Sequence, residues 1–383
     1  MIKKFVLIFA VLVLMGFSQI LFGATILVGP YLQYPTQTSI TIMWETDQAC
    51  NSEILYGEKT PLDKKITVEQ ISRIHEVKLS GLKPETIYYY RVISDCGAYG
   101  KVKSKLYSFK TAVKKDSPFT FAVIGDNRTF SWHFHHIAEQ IFAERPNFVI
   151  NVGDVCTNGL KKYEWNLEFF APAKKLLAYV PVYISIGNHE QNARWYYYYV
   201  SYPEPENYYS FDYGNAHFVI IDSNQDLSPQ SEQYKWLKAD LAKSKATWKF
   251  VVHHHPPYSS DLNDYGDTKR GEPSTYGDLN VRQLVPIYEK YGVDIVFCGH
   301  IHNYERTLPL KQGKIDLKNG VIYMVVGGGG AELENFAPQR NFFTAKVAKR
   351  YHYVLVSIYQ KTLKLKTYDI TGSLFDYLEL SKK

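Results

Sequence analysis

The chain has 383 residues, 45% hydrophobic and 15% aromatic, with a formal net charge of +6. That apolar content excludes a disordered polar chain, and the length leaves room for two domains. No run of lysine or arginine is dense enough to argue for a nucleic-acid partner.

Residues 1–23 read as a secretory leader. Lys3 and Lys4 make its charged start, Phe5 to Phe17 its apolar core, and Gly23 and Ala24 mark a cut site. Leu21 or Phe22 stands where a small residue is preferred, so the alternative to a secreted or periplasmic protein is a membrane tether left uncleaved. No later stretch of the sequence is long and apolar enough to span a bilayer.

Residues 25–113 read as all-β. Ile40, Ile42 and Trp44 alternate with Thr41 and Met43, which predicts a strand with one buried face. Leu82 to Tyr88, running into Tyr89-Tyr90-Arg91-Val92, resembles the tyrosine corner of a fibronectin-type sandwich, with Tyr88 at the corner. In that topology the loops carrying Cys50 and Cys96 share one end, and an exported chain permits these two to form a disulfide or to remain thiols. A short polar linker, Val113 to Pro118, follows.

Residues 118–383 alternate strand and helix patterns. Helical spacing of apolar residues occurs over Phe134–Glu144, Glu164–Leu177, Gln230–Lys243 and Val281–Lys290. Val321–Val326 reads as a strand, Tyr353–Tyr359 and Thr362–Tyr368 as a hairpin, and Ser373–Leu380 as an edge. Gly327 to Gly330 is no phosphate loop, because no Gly-Lys-Ser/Thr follows.

Five polar clusters each follow an apolar run in this region. They are Gly125-Asp126-Asn127-Arg128, Gly153-Asp154, Gly187-Asn188-His189-Glu190, His253-His254-His255-Pro256-Pro257-Tyr258, and Gly299-His300-Ile301-His302. Open α/β sheets bind ligands at the carboxyl ends of their strands, so the five converge on one crevice. Carboxylate, amide oxygen and imidazole suit Zn, Fe and related cations. A shared carboxylate can hold two of them about 3.5–4 Å apart, clamping the attacking and leaving oxygens of an in-line displacement.

In this order, and with Tyr304-Glu305-Arg306 closing the last cluster, these motifs resemble the calcineurin-like metallophosphoesterases, in their purple acid phosphatase branch. The resemblance runs from about residue 26 onward. It implies an N-terminal fibronectin type III-like domain followed by an α/β/β/α double-sheet sandwich. It also implies that Asp154 bridges two metals, that Asp126 and His302 complete the first site, and that Asn188, His254 and His300 complete the second. His189 is similar to the family's histidine that contacts phosphate or protonates the leaving oxygen. His253 reads as a bystander, and His255 stays open.

Two departures stand out. Purple members carry a tyrosine three residues after the bridging aspartate, and here that residue is Thr157. Other members carry a histidine two residues after the first aspartate, and here that residue is Arg128. Water, Thr157, Asn127 or Cys156 are the candidates to complete the first site, with the Cys156 thiol as readily a core residue. Arg128 either takes phosphate oxygens as a bidentate fork or forms a salt bridge with Asp126 or a surface acid. Asn263 and Asp264 stand where plant members place substrate-contacting histidines, in a polar loop over 259–275 expected to rim the pocket.

The function implied is phosphomonoester hydrolysis by metal-bound hydroxide, with iron, zinc or manganese as metals and a small phosphorylated substrate. A phosphodiesterase or nucleotidase is the alternative on the same fold, with Trp195 to Tyr199 either stacking on a base or packing within a loop. A surface binding module with a weakened metal site is the alternative from another class.

Overall fold

The computed structural model describes residues 23–262, 265, 274–338 and 340–382. The leader up to residue 22, and Asn263 and Asp264, lie outside the described residues.

The first part is a sheet of β1 (Ile26–Gln33), β2 (Ser39–Gly57), β3 (Lys64–Ser80), β4 (Ile87–Asp95), β5 (Lys101–Lys103) and β6 (Tyr107–Lys110). The long β2 pairs with β1, β3 and β4, and its register shifts between Glu45 and Cys50. Trp44, Tyr88, Tyr90 and Phe109 fill its own core. The Tyr88 hydroxyl accepts the Lys83 N–H at 3.0 Å. Cys50 and Cys96 are joined as a disulfide.

The single buried face expected of β2 is a correction. Thr41 and Met43 are buried as well as Ile40, Ile42 and Trp44. The reason is the second part of the chain: Val28, Tyr31 and Met43 belong to its core, and the Tyr31 ring lies 4.7 Å from Phe170. Polar contacts reinforce this junction. Glu45, 2% exposed, binds the Lys162 ammonium through Oε1 and accepts the Tyr199 hydroxyl at 2.7 Å through Oε2. Tyr90 donates to the Ala178 carbonyl at 2.7 Å.

The second part holds two packed sheets. One runs β21 (Leu374–Ser381), β20 (Thr362–Asp369), β19 (His352–Tyr359), β7 (Phe119–Ile124), β8 (Phe148–Asn151), β9 (Val182–Ile184). The other runs β10 (Tyr209–Tyr213), β11 (Ala216–Ile220), β12 (Trp248–Val252), β13 (Ile295–Cys298), β17 (Ile322–Val326), β14 (Tyr304–Thr307), β18 (Thr344–Ala348). A small ribbon, β15 (Leu310–Lys311) with β16 (Lys314–Ile315), stands apart. Facing phenylalanines seal the sheets together: Phe121 lies 5.1 Å from Phe218 and 5.4 Å from Phe250. β7–β9 are parallel, as are β11, β12, β13 and β17, and such sheets carry helices on their outer faces. The edge strand expected at 373–380 is β21.

Three secondary-structure expectations need correcting. Val281–Lys290 falls across two helices, Leu279–Arg282 and Val285–Tyr291, broken by a turn at Gln283 and Leu284. Glu164–Leu177 is not one helix but a turn at Lys162–Glu164, a π-turn at Trp165–Phe170 and a helix at Lys174–Tyr179. Pro172 lacks the N–H that a continuous helix needs there. Ala171 instead donates to Asn166, five residues back. Trp195 to Tyr199, for which packing within a loop is one of two readings, lies in a short helix, Arg194–Tyr199, with Tyr196 and Tyr199 buried.

Candidate metal centre

All five clusters lie just past β7, β8, β9, β12 and β13, at the carboxyl ends of strands from both sheets. The backbone there is left-handed at Asp126 (φ 54°), Asp154 (φ 56°) and His300 (φ 70°), an uncommon conformation that turns each side chain back over its strand end. Two glycines make the close approach possible. A Cβ at Gly187 would sit 2.2 Å from Asp154 Oδ1, and one at Gly299 would sit 2.4 Å from Asp126 Oδ2.

Asp126, Asp154 and His302 form one group, with ligand atoms all within 4.8 Å of one another. The His300 N–H donates to both Asp126 oxygens, at 3.0 and 3.1 Å. His302 donates from Nδ1 to the Glu332 carbonyl at 2.9 Å, which leaves Nε2 as the free lone pair.

The second group gathers around Asn188. Its Oδ1 lies 3.0 Å from His254 Nε2 and 3.2 Å from His300 Nδ1. Oδ1 of Asp154 lies 3.3 Å from the same His254 atom. His254 donates from Nδ1 to the Val152 carbonyl at 2.9 Å, so its Nε2 points at two acceptors. Three acceptors this close need a positive charge among them, either a proton on Nε2 or a cation. Burial opposes a charge on His254, but Asp154 outweighs burial and pushes its pKa up to about 10. Burial likewise opposes ionisation of Asp154, yet the His254 charge holds its carboxyl well below the usual range. Carboxylate, amide oxygen and two imidazoles are a donor set that fits zinc, iron or manganese.

His189 donates from Nδ1 to the Thr157 carbonyl at 2.6 Å, and its Nε2 lies 3.9 Å from Asp154 Oδ2. Arg128 approaches Asp154 rather than Asp126: its Nε is 3.4 Å from Asp154 Oδ2, and its Nη2 is 3.2 Å from His302 Nε2.

The three protein candidates for completing the first group are held elsewhere. The Thr157 hydroxyl donates to Glu168 at 3.1 Å and meets Thr129 at 3.3 Å. Asn127 accepts from Asn151 at 2.7 Å and donates to the Val155 carbonyl at 3.1 Å. Cys156 is buried in the main core, and burial pushes its thiol far up. His253 is buried with its ring parallel to that of Tyr288, consistent with a bystander, and burial pulls its pKa down to about 3. His255 bonds Ser223 Oγ at 2.8 Å, with its ring 4.4 Å from His300. From the polar loop, Tyr265 reaches to 6.1 Å from the His300 ring.

Sequence reasoning gave no role to Glu190, although it closes the third cluster. It is fully buried, and its carboxylate accepts the N–H groups of Asp154 (3.0 Å), Val155 (2.7 Å) and Gly187 (2.6 Å). An acid beside a metal-ligand motif was the only signal.

A model of the calcineurin-like phosphoesterases matches residues 92–304, and one of the purple acid phosphatase N-terminal domain matches residues 28–111. The chain belongs to the calcineurin-like phosphoesterases, in their purple acid phosphatase branch. Family membership makes it a metal-dependent phosphoric ester hydrolase, and the family uses dinuclear metal centres. Purple acid phosphatase 21 of Arabidopsis thaliana is 31% identical over 78% of this chain and 72% of its own length. Purple acid phosphatase 18 of that plant is also 31% identical, over 67% of this chain and 58% of its own length. A relative described as probable inactive purple acid phosphatase 1 is 28% identical over 80% of this chain and 56% of its own. The chain thus spans little more than half the length of some relatives. Among solved structures, a purple acid phosphatase from yellow lupin seeds shares the fold with a TM-score of 0.83 at 22% identity, covering 94% of this chain and 74% of that one.

Proposed function

We propose that this purple acid phosphatase relative is an exported phosphomonoesterase that works with two metal ions, iron, zinc or manganese. One observation carries the reading. Asp154 belongs to both groups: its Oδ1 lies 3.3 Å from His254 Nε2, and its carboxylate offers a ligand atom within 4.8 Å of those of Asp126 and His302. A single carboxylate so placed can serve both donor sets. Asp126 and His302 would hold the first metal with it, and Asn188, His254 and His300 the second.

When bound, the metals supply the charge that polarises the phosphoryl group and makes water acidic. The chain supplies the rest. His189, tied at Nδ1 by the Thr157 carbonyl, keeps Nε2 toward the site, where its imidazolium form would give a proton to the leaving oxygen. Arg128 offers N–H donors to the phosphate. The leader reading supports export, the Cys50–Cys96 disulfide agrees with it, and the domain limits of this reading are 25–113 and 118–383. The fibronectin-type assignment of the first domain rests on the Tyr88 corner.

The nucleotidase alternative gains little from Trp195 to Tyr199. Tyr196 and Tyr199 are buried, and Trp195 stacks under the Arg194 guanidinium at 4.7 Å. Metal content, with turnover of p-nitrophenyl phosphate, its bis-ester and a nucleoside monophosphate, tests the reading. Two metals with fastest turnover of the monoester are expected. Bound metal without turnover of any of them would favour the binding-module reading.

A further inference from the structure

Arg128 and a first-site metal need the same electron pair. His302 spends its Nδ1 proton on the Glu332 carbonyl, at 2.9 Å. Its Nε2 therefore carries the only lone pair on the ring, and that lone pair accepts the Arg128 Nη2 proton at 3.2 Å. Nε2 is also the ring atom that faces the carboxylates, 3.7 Å from Asp126 Oδ1, in the group His302 forms with Asp126 and Asp154. One lone pair cannot serve both. The guanidinium is also well placed to neutralise the carboxylates: the Arg128 side chain is 16% exposed, and its Nε lies 3.4 Å from Asp154 Oδ2. That Nε proton is buried and has no hydrogen-bond partner among the described residues, so the fork holds an unused donor within the site.

We infer that Arg128 is a built-in cation that competes with the first metal for His302, and that the metal, on binding, releases the guanidinium for the phosphate of the substrate. This rests on the two-metal reading above. Its consequence is an unequal centre. Among the described residues the group around Asn188 and His254 has no guanidinium on a ligand nitrogen, only a proton on His254 Nε2 to displace, whereas the group around His302 loads only as Arg128 leaves. Once released, Nε and Nη2 are two parallel donors that match two phosphate oxygens. Metal at the first site and phosphate on Arg128 then help each other, because each needs the Arg128–His302 bond broken.

The test is calorimetric titration of the purified mature protein with Zn²⁺, with and without inorganic phosphate, in wild type, Arg128→Met and Arg128→Lys. Both variants should bind the weaker equivalent about ten- to hundredfold more tightly, the scale of one charge-assisted hydrogen bond. Arg128→Lys keeps the charge but lacks the fork's reach to His302, so its gain separates competition from simple repulsion. Phosphate should tighten the weaker equivalent more in wild type than in Arg128→Met. Two equivalents of unchanged affinity in both variants would overturn the competition alone. A gain in Arg128→Met without one in Arg128→Lys, or an equal phosphate effect, would also overturn it. A single equivalent at saturating Zn²⁺ in every protein would overturn the two-metal reading and the competition with it.

Discussion

Glu190 holds Asp154 in place: its Oε2 accepts the Asp154 N–H at 3.0 Å and the Gly187 N–H at 2.6 Å. The Asp154 loop and the Asn188 loop therefore close on one buried carboxylate. Glu190→Gln keeps the shape but leaves one acceptor oxygen for three N–H groups. We expect about 1–3 kcal/mol of lost stability and a fall in kcat of roughly tenfold or more from misplaced ligands. Denaturant melts and turnover numbers check this. A variant equal to wild type in both would show that the loops hold without Glu190.

Asp154→Ala removes a side chain that lies near both donor groups. Metal content by elemental analysis should fall for both ions, and turnover should vanish. Normal activity with two metals retained would rule out a bridging role.

His189→Ala tests proton delivery. Metal content should stay near wild type while kcat drops by roughly 10²–10⁴. The drop should shrink for esters with good leaving groups, which need no proton. A loss that is uniform across leaving groups would assign His189 to phosphate binding instead.

Thr157 offers no phenolate, and its hydroxyl is bound to Glu168 and Thr129. Protein loaded with iron(III) should therefore show no ligand-to-metal band in the visible. A purple protein would mean that a tyrosine from elsewhere reaches the metal.

His217 gives a pH dependence far from the metal centre. Its Nδ1 and Nε2 lie 2.7 Å from carboxylates of Asp212 and Asp240. Burial pulls its pKa down, but the two carboxylates outweigh burial and push it up to about 9. The folded value thus exceeds the ordinary value of about 6.5. The stabilisation is complete below about pH 6.5 and is lost as pH rises through about 9, amounting to at most about 3 kcal/mol. Solvent around Asp212, whose side chain is 77% exposed, reduces it further. His217→Asn should destabilise the protein near pH 6 and much less near pH 10, by denaturant midpoint. Equal losses at both pH values would assign His217 a packing role.

The ligand candidates were legible because each follows a strand end, where apolar run and polar cluster meet abruptly. Asp126, Asp154, Asn188, His254, His300 and His302 do come together in two groups. What holds them was not legible. Glu190 and Glu168 are ordinary acids in one dimension, and only the fold brings their oxygens to Asp154 and Thr157. The break at Pro172 was visible in principle, but the apolar spacing around it suggested a longer helix. The doubly buried β2 was hidden because the surface covering Met43 comes from a region more than a hundred residues later.

The junction at Glu45 bears on how the molecule comes apart. Lys162 follows the Asp154 loop and Tyr199 follows the His189 loop, and both are tied to that one carboxylate of the first domain. A chain cut at the linker would leave a lysine and a phenol facing water, with Tyr31 and Met43 missing from the remaining core. The two modules should therefore melt together, and calorimetry of the intact chain should show a single transition. Insertion or exchange of the first module in a relative would be felt at the metal site before it was felt in the fold.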